Sequence, residues 1–96
     1  MPNCKAEHLS NTPEGDIIRV DFKIDTSGCK RLGDRDLSFR SNFKKGSETK
    51  THDEGEILPQ TGGTYRHSVR IQDRFKSIGF VFTGISNVGL RCTCLD

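Results

Sequence analysis

The clearest pattern in this chain is a two-residue alternation of apolar and polar side chains. Between Asp16 and Asp25, Ile18, Val20, Phe22 and Ile24 share one face, and Arg19, Asp21, Lys23 and Asp25 share the other. Leu37, Phe39, Ser41 and Phe43 alternate with Ser38, Arg40 and Asn42, and Tyr65, His67, Val69 and Ile71 with Arg66, Ser68 and Arg70. Ile78, Phe80 and Phe82 form another inward set, with Val81 and Thr83 opposite, as on a strand covered on both sides. Val88, Leu90, Cys92 and Cys94 complete the pattern.

Glycines punctuate these runs as turns. No segment carries a helical i, i+3, i+4, i+7 stripe, and Gln72–Lys76 offers the one plausible helical turn. The expected fold is all-β: a small antiparallel β-sandwich or barrel of five to seven short strands. The pattern does not choose between those two closures.

The interval 44–63 departs from this pattern, with Ile57 and Leu58 as its two aliphatic residues. Twenty residues without a core pattern read as a long loop, or as an outer hairpin between Thr49–Thr51 and Glu56–Leu58. Long loops often carry binding function. With 96 residues the chain is expected to form a single domain, 1–96.

Hydrophobic residues make up 31% of the sequence and the mean hydropathy is −0.62. The core is therefore thin, and a large enzyme with a deep cofactor cleft is excluded. No apolar run of about 18 residues exists, so no helical membrane span is expected.

Four cysteines, Cys4, Cys29, Cys92 and Cys94, suit two disulfides in so small a domain. A zinc site fits worse: Cys4 and Cys29 are far apart in sequence and Cys92-Thr93-Cys94 is tighter than the usual C-x-x-C spacing. Cys92 and Cys94 share a strand face about 6.6 Å apart, so each is expected to reach one of Cys4 and Cys29. Each bridge would close a loop of more than 60 residues, worth about 4 kcal/mol in the chain-entropy model.

Disulfides imply an oxidising, extracellular compartment, although Met1-Pro2-Asn3-Cys4 has neither the basic nor the apolar part of a signal peptide. Met1 reads as a start placed before a mature N-terminus. There is no Asn-x-Ser/Thr sequon, so N-glycosylation is not expected.

The formal net charge is +2, unevenly spread. From Thr64 to Cys92 five bases, Arg66, Arg70, Arg74, Lys76 and Arg91, stand against Asp73, while Glu48 to Glu56 holds four acids and one Lys. Arg66 and Arg70 form a basic stripe on one strand face, with Lys44, Lys45 and Arg40 as candidate neighbours. Such a stripe suits an acidic protein surface, a phosphate or a sulfated glycan. It also suits cross-strand pairing with Asp21, Asp25 or the acidic interval. Dedicated nucleic-acid binding is not expected at pI ≈ 8.4 with one Tyr and no Trp.

His52, Glu54, His67 and Arg70 supply the residue types of a minimal ribonuclease: base, acid and phosphate-binding Arg. Tyr65-Arg66-His67 resembles the Tyr-x-His strand of the small microbial guanyl-specific ribonucleases, over three residues. No Glu follows His67, and the upstream helix of that family has no counterpart. The other motifs fail. No G-x-S-x-G, H-E-x-x-H, Walker or EF-hand pattern is present, and Thr61-Gly62-Gly63-Thr64 reads as a turn. Asp34, Asp36, Asp53, Glu54 and Glu56 read as solvated loop charge, and Leu32-Gly33-Asp34 only loosely matches an integrin tripeptide.

The resulting expectation is a small secreted, disulfide-stabilised binding protein. It would be effector-, elicitor- or toxin-like, not an enzyme, with no cofactor or metal. Its expected partner is an extracellular or host-derived protein with an acidic surface, meeting Arg66, Arg70, Lys44, Lys45 and His67. The contrasting readings are a ribonuclease using His67 and a carbohydrate-binding module.

Overall fold

Six antiparallel strands fill the computed structural model, which describes residues 4–33, 36–59 and 61–95. They are β1 (Lys5–Glu14), β2 (Ile17–Asp25), β3 (Leu37–Lys45), β4 (Glu48–Glu56), β5 (Thr64–Gln72) and β6 (Val81–Cys92). The strands form two three-stranded sheets, ordered β1-β2-β5 and β4-β3-β6. The sheets stay separate among the described residues, so the closure is a sandwich and not a barrel.

The central strands β2 and β3 have the strongest alternation because each buries one whole face. Ile18, Val20, Phe22 and Ile24 are at most 2% exposed, and they meet Leu37, Phe39 and Phe43 from the opposite sheet. The Phe22 and Phe39 rings touch across the layers, with centroids 5.1 Å apart. That contact sets β2 over β3. The contacts of β1 with β6 set the first pair of edges together, which leaves β5 over β4.

Two hairpins turn on Gly15-Asp16 and Gly46-Ser47, with φ of +71° and +58° at the glycines. Positive φ at only the first central residue matches the Gly-x hairpin turn, which suits strand twist. Lys76–Ile78 forms a 3₁₀ turn beside the expected helical position. The turn at 61–64 is held by Thr26, whose N–H donates to the Gly63 carbonyl at 2.8 Å.

Both disulfides join the C-terminal segment to the N-terminal third. Cys4–Cys92 and Cys29–Cys94 have Cα separations of 5.2 and 5.7 Å and span 88 and 65 residues.

Several sequence expectations need correction. Most of the interval 44–63 is neither loop nor self-contained hairpin. Residues 48–56 form β4, paired with β3 through nine consecutive positions. Its core-side positions Lys50, His52, Glu54 and Glu56 are polar because the strand lies at the rim of the apolar core. Lys50 lies over the Phe75 and Phe80 rings at 5.6 and 5.4 Å.

β1, also polar, is an edge strand that no alternation announced. Ile78 and Val88 are not inward but 52% and 79% exposed, and Val81 and Thr83 are exposed instead of covered. The strand at Val88 bulges away from β3, and Ile78 sits in the 3₁₀ turn.

Asp36 is not a solvated loop charge. It is buried, and its carboxylate accepts the N–H groups of Gly33 and Leu58. Asp34, the last residue of the Leu32-Gly33-Asp34 tripeptide, lies outside the described residues.

Candidate functional site

β5 pairs with β2 in nine consecutive in-register positions, Thr64 to Gln72. Val69 and Ile71 anchor it in the core at 2% and 3% exposure, while Arg66, Ser68 and Arg70 point outward. Its far edge has no strand partner among the described residues. An unpaired strand edge is a template for another chain, and folded proteins usually block it.

The other three edges carry such blocks. β1 has a bulge between His8 and Ser10 and contains Pro13. β6 loses register with β3 twice and carries Gly84 and Gly89 at φ +134° and +93°. β4 places charged side chains on both faces. β5 has no bulge, Pro or Gly.

The outer face of the β1-β2-β5 sheet is a charge mosaic. Arg19 lies between Glu14 at 3.3 Å and Asp21 at 3.4 Å, and Arg70 reaches Glu14 at 3.6 Å. The Ser68 hydroxyl beside Asp21 holds its carboxyl below the usual range, with help from Ser10 and Arg19 and against partial burial. Arg66 stands opposite Lys23 on β2, and neither forms an ion pair among the described residues. Arg66 is therefore the uncommitted base of the stripe and Arg70 the partly committed one.

Lys44 and Lys45 do not join that stripe. They end β3, the central strand of the other sheet. Lys44 continues the outer face of that sheet, on the opposite side of the sandwich. Lys45 donates from Nζ to the Ile78 carbonyl at 3.1 Å and lies near the Phe80 ring.

His67 points inward from β5, half-buried beside Phe22, and its Nε2 is shielded without a hydrogen-bond partner. Arg70 is on the other face of the same strand, so the two do not converge on one group. Glu54 sits beside Phe39 on β4, at the rim facing β5. Its carboxylate accepts from His52 Nδ1 at 2.9 Å and from Arg74 Nε at 3.3 Å.

Glu54 is thus held as a strut between β4 and the segment after β5, and not as a solvated acid. The part played by Arg74 had no sequence signal, because it lies in an irregular connection. Asp53, on the other face of β4, meets Arg40 at 2.9 Å, and that guanidinium holds its carboxyl below the usual range.

No metal-binding group of three His, Cys, Asp or Glu side chains occurs among the described residues. No helix there is long and apolar enough to cross a membrane. The chain matches no protein-family model, no curated protein and no solved structure.

Proposed function

We propose that this chain is a small secreted protein that acts by binding another protein, and that β5 is the docking edge. The partner contributes an extended acidic segment as a fourth strand of the β1-β2-β5 sheet. The observation that carries this reading is the uninterrupted edge of β5 beside three interrupted or charged ones. The two disulfides suit an oxidising, extracellular setting, and effector- or toxin-like action on a host or competitor protein fits that compartment.

Arg66 and Arg70 define the partner's pattern. They are four residues apart on one face, so an antiparallel segment needs acids four residues apart. The residues flanking the acid opposite Arg70 face Val69 and Ile71 and should be apolar. A second copy is a poor occupant. A two-fold axis at Ser68 would set Arg66 opposite Arg70 of the other copy, like charge against like.

The test uses synthetic decapeptides, one with acids four apart and flanking apolar residues, one with the same composition scrambled. In amide NMR spectra, the patterned peptide should perturb residues 64–72 and the scrambled one should not. Combined Arg66→Glu and Arg70→Glu substitution should abolish that binding. Equal binding of both peptides, or binding that survives charge reversal, would refute the reading.

A further inference from the structure

The outer face of the β4-β3-β6 sheet contains a groove that the docking edge does not use. Ser38 on β3 pairs with Arg91 on β6, yet Arg40, two residues on, pairs with Ser86. Residues 87–90 of β6 therefore stand opposite the single residue Phe39. The edge strand swings away from β3 at that point and opens the sheet surface. Bulges of this kind recur beside functional sites because they re-aim side chains and end pairing.

Two glycines border the opening. Gly55 lies across from Ser38 on the β4 side, and Gly89 borders it on the β6 side. A Cβ placed on Gly89 would meet nothing within 4 Å. The result is a groove of about 280 Å³ whose walls include Arg40, Asp53 and Arg91.

Its charge is cationic. Arg40 gives its Nε to Asp53 at 2.9 Å, which leaves the two Nη groups without an ion-pair partner among the described residues. Arg91 has no ion pair there at all, and the Ser38 hydroxyl adds a donor. Glu54 also borders the groove, but its carboxylate is taken by His52 and Arg74. Two guanidinium groups against the one remaining carboxylate leave a single net positive charge.

We propose that this groove binds one oxyanion group, a carboxylate, sulfate or phosphate, held by Arg91 and by the Nη side of Arg40 beside Ser38. A guanidinium fork matches such groups in geometry and charge. The volume lies just below the range of drug-sized pockets, which suits a small acid or one anionic substituent of a larger molecule. The site is independent of β5, because Ser38, Arg40 and Arg91 lie on the outer face of the β4-β3-β6 sheet, on the opposite side of the sandwich.

The test is a titration of the intact, oxidised protein with sodium acetate, sulfate and phosphate, at constant ionic strength in chloride, followed by amide NMR. At least one anion should shift the Ser38, Phe39 and Gly89 amides saturably. Arg91→Gln should weaken that binding about tenfold or more. Gly55→Val should weaken it similarly by filling the groove with every charge retained. Both changes lie at the surface, and the same spectra report whether the fold persists. Tighter binding of sulfate or phosphate points to an ester group, and tighter binding of acetate to an organic acid or acidic side chain. Shifts that do not saturate, shifts of equal size around Arg66, or affinity unchanged in both variants would overturn the proposal.

Discussion

Phe22 on β2 and Phe39 on β3 meet across the two sheets at 5.1 Å, with their rings tilted by 52°. Both are almost wholly buried, and their contact sets the stacking from which the docking edge follows. Truncating Phe39 to Ala should cost about 3–5 kcal/mol, much of the stability expected of a domain this size. Phe39→Leu should cost less, about 1–2 kcal/mol, and keep the fold. Urea unfolding of the oxidised protein measures both.

Glu54 should be coupled to Arg74. Removing Arg74 leaves a carboxylate at 11% side-chain exposure with fewer donors. Arg74→Ala is expected to cost about 1–2 kcal/mol, reduced by the partial exposure of the guanidinium. A double-mutant cycle with Glu54→Gln should give a coupling of at least about 0.5 kcal/mol. Additive effects would mean that the strut does not hold β4 to the segment after β5.

The hairpin at Gly46 makes a backbone prediction. Its φ of +58° is one that side-chain-bearing residues adopt at a cost, so Gly46→Ala should lose about 1–2 kcal/mol. Ser47→Ala should stay within about 0.5 kcal/mol of the parent. Thermal unfolding distinguishes the two.

Acid should destabilise the fold in a defined window. Asp21, Asp25 and Asp53 are held low chiefly by hydrogen bonds from Ser68, Ser27 and Arg40 respectively. A carboxyl whose folded pKa is depressed contributes stability that is fully present above its unfolded value of about 3.9. That contribution is lost as pH falls through the lower folded value. Stability should therefore vary little with these three groups from pH 7 down to about 5, and decline below about pH 4. Asp21→Asn should flatten that decline, as read by urea midpoints across the pH range.

The legible parts of the fold were those where one face is buried and the other wet. Ile18 to Ile24 and Leu37 to Phe43 announce β2 and β3 because a central strand sorts its side chains by face. β4 was illegible because Lys50, His52 and Glu54 occupy core-side positions at the rim, where polar groups reach water or one another. Its available signal was the Gly46-Ser47 pair directly after β3, a two-residue hairpin turn. The alternation fails at Val88 because a bulge breaks the two-residue period. The stripe of Arg66 and Arg70 was visible as a pattern, but its separation from Lys44 and its place on an open edge depend on sheet order, which alternation does not encode.

The most direct test of the account is a non-reducing peptide map of the protein from its native source. The crossing of Cys4–Cys92 and Cys29–Cys94 ties Cys4 and Cys29 to the end of β6 and the segment that follows it, and underlies the extracellular reading. The map should contain those two linked pairs and no alkylatable thiol. Four free thiols, or Cys4 joined to Cys94, would contradict both the fold and the binding role built on it.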